Sequence, residues 1–408
     1  MLLARIVEDV VRRDGARILA SLIRLTGDFD RAEDALQEAY TRALSVWAQN
    51  GLPERPAAWI NTVSRRAALD MLRRQRSVPL EAEPEAPTIE PEAENPSGVE
   101  DDRLRLLFTC CHPALSPEAR TALALRTLGG LTTREIARAF VEDSTTTAQR
   151  LVRAKKKIRE AGIPYEIPAR EALPDRVATV LSVIYLIFNE GYASTEAPSL
   201  LRPDLCAEAI RLARLTVELL PGEAEAGGLL ALMTLTHARR TARISSEGEL
   251  IPLEVQDRAC WNAPEIAAGL EALDGALQLR QPGPYQIQAA IAALHVRAHS
   301  AAETDWPQIS ALYGALLQWA PTPVVELNAA AALAMTLGIE HGLRWIENLE
   351  QRGELSGYHL LPAAKADLLR RAGRQPEAAL AYQAALALVR NPAERRYLER
   401  RLAECSTR

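Results

Sequence analysis

The sequence is poor in cysteine and aromatic residues and has no long apolar segment. Its five cysteines are scattered, without a Cys-x-x-Cys pair, which argues for a reducing compartment and against a disulfide or zinc-ribbon framework. The apolar stretch from Val177 to Phe188 covers only about twelve residues, too few to cross a membrane. The chain begins with an amphipathic pattern that contains acidic residues, unlike a signal peptide. We therefore expect a cytoplasmic protein with no membrane segment.

Catalytic and metal-binding patterns are also lacking. Cys110, Cys111 and His112 are adjacent in sequence and cannot easily share one tetrahedral metal, so we interpret both cysteines as packing residues. His295 and His299 are spaced for one helix face, but the segment HVRAH lacks the glutamate of a zinc protease, and we expect a surface pair. We expect no enzyme, no metal and no cofactor.

The composition predicts helices throughout, and the charge is distributed unevenly. The 408 residues allow two to four domains, only 5% are aromatic, and Ala, Leu and Arg dominate. The net charge of −5 conceals two basic segments: residues 1–76 carry 13 basic and 10 acidic residues, and residues 103–160 carry 12 and 5. Residues 77–102 carry nine acids and no base. The sequence therefore predicts an all-α protein with locally basic surfaces.

Residues 132–159, TTREIARAFVEDSTTTAQRLVRAKKKIR, predict two helices separated by a short turn. Thr132 or Thr133 can cap the first helix, with Glu135 completing a capping box, and Ser144 can cap the second. The apolar face of the second helix is predicted to consist of Thr147, Leu151, Ala154 and Ile158.

The opposite face of this second helix is strongly basic. Residues 144–159 contain six cations and no acid. A short helix joined by a tight turn to a longer basic helix is the helix-turn-helix arrangement that reads the DNA major groove. A solvated charged helix in an all-helical protein is the alternative.

Residues 1–76 predict three helices, from about Leu2 to Thr26, Asp30 to Trp47 and Ala57 to Gln75. Asp30 and Glu33 are expected to form a capping box, and Leu44 is expected to face the core. The third helix is basic and has Trp59 near its start. Cations interleaved with an aromatic side chain suit single-stranded nucleic acid, whereas a basic solvated helix with Trp59 in the core is equally compatible.

Residues 77–100 form a linker rich in proline, with seven glutamates. Proline and like charges keep such a segment extended. At roughly 3.3 Å per residue it spans at most ~80 Å, which exceeds the ~70 Å of two turns of B-DNA. It can therefore hold two DNA-reading units about two turns apart.

Helices are predicted to continue to the end of the chain. One runs from 183 to 192, with Gly191 as its C-cap. Tyr313 and Tyr382 lie in similar local patterns 69 residues apart, close to two tetratricopeptide periods of 34, and Gly338 and Gly373, each closing a helix, lie 35 apart. The best interpretation of residues 200–408 is a degenerate helical-hairpin solenoid.

The segments RAEDALQEAYTRA, PAAWINTVSRRAALDMLRR, LSPEARTALALRTLGGLTTREIARAF and TTTAQRLVRAKKKIRE together resemble bacterial RNA polymerase sigma factors. The resemblance is to the extracytoplasmic-function (ECF) branch of the sigma-70 family, which keeps only regions 2 and 4. It implies region 2 over residues 1–76, the linker at 77–100, region 4 over 101–163 and a tetratricopeptide-like extension over 170–408.

The resemblance also implies roles for individual residues. Binding of core RNA polymerase would involve Asp34, Gln37, Glu38 and Arg42. Opening and holding the −10 strand would involve Trp59, Asn61, Arg65, Arg66, Asp70, Arg73 and Arg74. Reading the −35 bases would involve Ala148, Gln149, Val152 and Arg153. Phosphate contacts would involve Arg150, Lys155, Lys156 and Lys157. Ala148 and Val152 are small and apolar where many relatives carry larger polar side chains, so base contacts there must be to thymine methyl groups or be absent.

The implied partners are core RNA polymerase and promoter DNA. The resemblance implies promoter-specific initiation through −35 and −10 elements, with melting of the −10 region. We hypothesise that the extension is a regulator, or docks a protein partner or another part of the chain, since solenoids offer concave binding faces. The alternatives are a polymerase-independent helix-turn-helix regulator with the solenoid as sensor, and a tetratricopeptide scaffold with incidental basic helices.

Overall fold

The computed structural model describes residues 2–75, 102–139, 142–169, 174–193 and 201–406. Within these ranges it contains eighteen α-helices, and its only β-structure is one isolated bridge between Ile244 and Leu250. The predicted all-α fold is confirmed. No described helix combines the length and apolar character needed to span a membrane. The predicted linker at 77–100 lies outside the described residues. The chain divides into two compact units, Met1–Leu186 and Ile187–Arg408.

The first unit begins with three mutually packed helices, α1 (Leu2–Thr26), α2 (Phe29–Asn50) and α3 (Pro56–Gln75). The start of α2 differs from the predicted capping box. Asp28 caps α2 by accepting hydrogen bonds from the backbone N–H groups of Asp30 and Arg31. The carboxylates of Asp30 and Glu33 instead pair with Lys155 of a later helix. Alanines at 32, 35, 39 and 43 are fully buried, which allows α1 and α3 to approach α2 closely.

The same unit continues with α4 (Asp102–Cys110), α5 (Pro117–Thr127), α6 (Thr133–Ala139) and α7 (Ser144–Glu160). The capping box at the start of α6 is confirmed: the N–H of Thr132 donates to Glu135 at 2.7 Å, and the N–H of Glu135 donates to the Thr132 hydroxyl at 3.2 Å. The predicted cap of α7 is wrong by one residue, because Asp143 accepts from the N–H groups at 145 and 146. A carboxylate at this position also complements the helix dipole.

Helix α8 (Pro174–Tyr192) crosses the boundary between the units. In the first unit, Arg176 donates to the Phe108 carbonyl and lies over its ring. The sequence predicts Gly191 as the end of this helix, but the glycine lies inside it. A Cβ at Gly191 would come 2.8 Å from the backbone nitrogen of Cys206, so the glycine permits close packing rather than a turn.

The second unit is a succession of helices in which most pack on their sequence neighbours, whereas α12 packs chiefly on α10. They are α9 (Pro203–Leu219), α10 (Ala224–His237), α11 (Ala263–Gln278), α12 (Pro284–Arg297), α13 (Trp306–Trp319), α14 (Pro323–Leu337), α15 (Ile339–Arg352), α16 (Leu360–Arg371), α17 (Gln375–Leu388) and α18 (Pro392–Ser406). Gly338 has a φ of 105° and caps α14, and Gly373 has a φ of 77° just beyond α16, as the sequence spacing predicts.

One long connection interrupts this succession. Residues 239–262, called the strap, join α10 to α11 through three short 3₁₀ turns. The strap contacts the far end of the unit: Arg396 donates to the Gly248 carbonyl at 2.7 Å, and Arg400 pairs with Glu249 at 2.6 Å. These partners are about 150 residues apart in sequence, so periodicity could not predict their contact.

Candidate nucleic-acid interface

Helix α7 has one buried and one exposed face. Thr147, Leu151, Ala154 and Ile158 are buried, which confirms the face that the sequence predicts. Leu151 and Ala154 are at most 5% exposed. The packed face holds α7 on the first unit and leaves the other side of the helix open to solvent.

The turn before α7 is held by a charged hydrogen-bond cluster. Two guanidinium nitrogens of Arg150 donate hydrogen bonds to the Glu142 carboxylate, one of them at 2.6 Å. The Thr147 hydroxyl also donates to Glu142, at 2.6 Å. The hydrogen bond from Arg150 is the main reason that the pKa of Glu142 lies below its ordinary value. Arg150, expected to contact phosphate, is therefore half-buried and bonded within its own unit.

The open side of α7 is a stripe of polar, basic and small apolar side chains. Gln149, Val152, Arg153 and Lys156 follow one another at helical spacing on this side, and all are exposed. Val152 is 64% exposed and contributes an apolar side chain to this stripe. Ala148 and Lys157 are also exposed. The structure thus brings six of the eight predicted −35 residues to the solvent side of one helix.

Lys155, another predicted phosphate contact, faces a different direction. Its Nζ lies 2.7 Å from Glu33 and 3.1 Å from Asp30, and its side chain is only 12% exposed. Burial lowers the pKa of Lys155, but the hydrogen bonds and charges of Glu33 and Asp30 outweigh burial and raise it above the ordinary value. Arg159 adds contacts to Asp28 at 3.4 Å and Asp30 at 3.2 Å. Two cations of α7 thus rest on the start of α2.

The outer face of α2 is polar and open. Asp34, Gln37 and Arg42 are exposed, and Arg42 pairs with Glu38 one turn earlier. Leu44, which the sequence predicts in the core, is 44% exposed because the alanines of α2 already fill the helix interface. It lies seven residues after Gln37, on the same side of the helix. Sequence reasoning missed Leu44 as a surface residue, since an isolated leucine in an amphipathic pattern looks like a core position.

Helix α3 presents its cations to solvent beside a half-buried tryptophan. Arg65, Arg66 and Arg74 are exposed, and Arg73 lies 3.7 Å from Asp70 at the surface. The Trp59 ring packs edge-on against buried Trp47, with centroids 5.4 Å apart. Trp59 therefore belongs partly to the core and partly to the surface, and Asn61 is also half-buried.

Three family models match this chain, two within the first unit and one across the boundary between the units. Residues 10–78 match the family model for sigma-70 region 2, and residues 105–158 match that for sigma-70 region 4. Residues 176–277, which include the strap, match a family of unknown function, DUF6596.

Individual relatives match nearly the whole chain or a smaller part of it. An uncharacterised protein of Rhizobium meliloti is 43% identical over 391 residues, which cover 94% of this chain and 92% of that protein. The ECF RNA polymerase sigma factor SigE of Mycolicibacterium smegmatis is 29% identical over 38% of this chain and 60% of its own length. The probable ECF RNA polymerase sigma factor SigI of Mycobacterium tuberculosis is 28% identical over 40% of this chain and 59% of its own length. No solved structure matches the chain.

Proposed function

Because the chain belongs to the extracytoplasmic-function branch of the sigma-70 family and carries a C-terminal extension, we propose that it binds core RNA polymerase and directs initiation at promoters with −35 and −10 elements. In this proposal residues 1–76 bind the polymerase and the −10 region, and residues 101–163 bind the −35 element. The polymerase carries out the synthesis of RNA, and this chain supplies position and strand opening.

The observation that carries the proposal is the pairing of two differently charged helical surfaces in one unit. The outer face of α2 offers carboxylate, amide and guanidinium groups with Leu44 at its edge, a composition suited to a protein partner. The outer sides of α3 and α7 offer cations, which suit phosphate. A DNA-binding regulator that acts without polymerase has no use for the α2 face.

For −35 recognition, we assign the base contacts to the exposed stripe of α7. Gln149 can pair with adenine, and Arg153 can pair with guanine, through bidentate hydrogen bonds in the major groove. Val152 supports contact with a thymine methyl group, because its exposed side chain has no hydrogen-bonding group. Lys156 and Lys157 lie where phosphate contacts would hold the helix in register.

For −10 melting, we assign the contacts to α3. Its exposed arginines can follow the backbone of a displaced strand, and the free part of the Trp59 ring can support an unstacked base. Removal of Trp59 would also disturb Trp47, so Arg66→Ala is the cleaner test of strand contact.

The extension is proposed to regulate the first unit or to dock a partner through a tetratricopeptide-like helical array. Most of its helices pack on near neighbours in the sequence, as in solenoid proteins, and the strap ties early helices to late ones. Removal of residues 170–408 is expected to alter transcription from the cognate promoter in cells. Unchanged transcription would contradict a regulatory role.

The proposed function is tested by adding the chain to core RNA polymerase with genomic DNA of its source organism and sequencing the 5′ ends of the transcripts. We expect a set of start sites that share −35 and −10 sequences and depend on both components. A matched variant, Gln37→Ala with Leu44→Ala, should reduce core binding and transcript yield together. A chain that neither binds core nor changes the start sites would contradict the proposal.

A further inference from the structure

The second unit contains a cavity of about 450 Å³ beneath the strap. This volume lies within the ~300–1,000 Å³ range of small-molecule sites. The strap forms one wall, and α12, α13, α14, α16 and α18 form the rest, with the lining drawn from residues between 252 and 401. The proposed role in initiation does not involve this cavity, so a ligand bound there would give the chain a second function.

Part of the wall is aromatic and apolar. Trp306 and Tyr313 line the cavity together with buried Ile309 and with Ala332 and Met335 of α14. Flat rings pack favourably against aromatic side chains, and a thioether adds favourable contact at a ring edge. This part of the cavity favours a planar apolar group.

The charged residues of the lining are neutralised, with one exception. Arg371 pairs with Glu254 and Asp367, and Arg401 pairs with Glu404 at 2.8 Å. Arg258 donates to the carbonyl oxygens of His295 at 2.5 Å and Ala298 at 2.8 Å. Among the described residues, no carboxylate lies within ion-pair distance of Arg258, so its charge has no direct counterion.

The surroundings of Arg258 are positive as well. Burial and then the charges of Arg239 and Arg258 lower the pKa of His295 to about 4, so this ring is neutral at pH 7. Burial and Arg239 also lower the pKa of Arg258, against a smaller opposing effect of Glu303. The His295 ring packs edge-on against Trp306, with 5.5 Å between the ring centroids. The positively charged end of the cavity at Arg258 therefore lies next to its aromatic wall.

We propose that this cavity binds a small aromatic carboxylate, whose carboxylate group pairs with Arg258 and whose ring packs against Trp306 and Tyr313. A single negative charge fits better than a phosphate dianion, because Arg258 is the one cation of the described lining without a carboxylate partner. The ligand would bridge the strap and α13 and so hold the strap closed.

Binding is tested on the full chain by calorimetry and ligand-observed NMR, with indole-3-acetate, phenylacetate and salicylate, each compared with its neutral amide. We expect at least one carboxylate to bind about tenfold or more tightly than its amide, as a charge-assisted hydrogen bond requires. Arg258→Gln should remove this difference. Ala331→Trp, which fills the cavity, should prevent binding of both forms.

Leu380→Trp is the matched control, because Leu380 is 68% exposed on α17 and does not line the cavity. It should leave binding unchanged, and thermal denaturation of each variant verifies that the chain is folded. The proposal is overturned if no carboxylate of the panel binds at millimolar concentration, or if Arg258→Gln and Ala331→Trp both leave binding intact. It is also overturned if a synthetic peptide of residues 77–100 binds the cavity and the small carboxylates do not.

Discussion

The contact between Lys155 and the start of α2 predicts that Glu33→Gln strengthens DNA binding by the free chain. Lys155 lies on α7, the helix that we propose reads DNA, but its charge is directed toward Glu33 and Asp30. A phosphate can recruit Lys155 only after these bonds exchange. Removal of the Glu33 charge weakens the competing partner and leaves every cation of α7 in place.

The expected gain in DNA-binding free energy follows from the geometry of the contact between Lys155 and Glu33. The 2.7 Å bond joins a lysine side chain that is 12% exposed to a glutamate side chain that is 27% exposed. A hydrogen bond between charged groups stabilises the structure by roughly 1.5–3 kcal/mol, and this free energy is lost when the bond is removed. Asp30 remains as a partner and glutamine can still accept a hydrogen bond, so the remaining effect is about 1 kcal/mol. This corresponds to about fivefold tighter binding.

The assay is fluorescence anisotropy with a duplex that carries the −35 sequence shared by the mapped start sites. Glu54→Gln is the matched control, because it removes the same charge at an exposed position between α2 and α3. The gain should be confined to Glu33→Gln and should disappear when Lys155→Met is added. Equal gains from the two charge removals would show a general electrostatic effect and refute the reasoning.

Three further predictions concern base reading, packing and pH. Arg153→Ala should weaken binding to the −35 duplex by about 1–3 kcal/mol and relax preference at one base, whereas Lys156→Ala should weaken all duplexes alike and reduce the salt dependence. Competition binding with single-base variants measures the loss of base preference in the two variant proteins. An equal loss in Arg153→Ala and Lys156→Ala would contradict the assignment. Gly228→Ala should destabilise the second unit by about 1–3 kcal/mol, because the new Cβ would lie 2.7 Å from the Gln286 backbone nitrogen; an unchanged urea midpoint would show that the packing can adjust. Acidification from pH 7 to pH 5 should cost roughly 2 kcal/mol at His295, because burial and two arginines lower its folded pKa to about 4 from the ordinary 6.5.

The sign of the pH effect is set by proton uptake. Between pH 6.5 and 4 the unfolded chain binds a proton at His295 and the folded chain does not, so this contribution is present above the unfolded pKa and is lost as the pH falls. His295→Asn should remove that part of the pH dependence in denaturation curves. The same loss in both proteins would assign it to other groups.

Patterns within one helix can be predicted well from the sequence. The buried face of α7 follows from the spacing of Thr147, Leu151, Ala154 and Ile158, and the capping box of α6 follows from Thr132 and Glu135. The predicted caps of α2 and α7 are misplaced by one or two residues. Adjacent Asp, Ser and Thr residues have similar capping preferences, so local sequence does not decide between them.

Contacts between distant segments cannot be predicted in this way. The sequence predicts His295 at the surface, but it forms part of the cavity wall because the strap covers it. Glu33 and Lys155 are 122 residues apart, and their contact removes Lys155 from the exposed side of α7. Gly191 lies inside α8, where Cys206 of the next helix comes too close for a Cβ. Such placements depend on tertiary packing, which periodicity does not encode.

The central claim is tested most directly by permanganate reactivity of promoter thymines with core RNA polymerase and the full chain. The proposed function predicts unpaired, reactive thymines in the −10 region only when both components are present, and loss of this reactivity with Arg66→Ala. If the chain occupies the −35 sequence but the −10 region stays double-stranded in the presence of core polymerase, the chain does not act as a sigma factor.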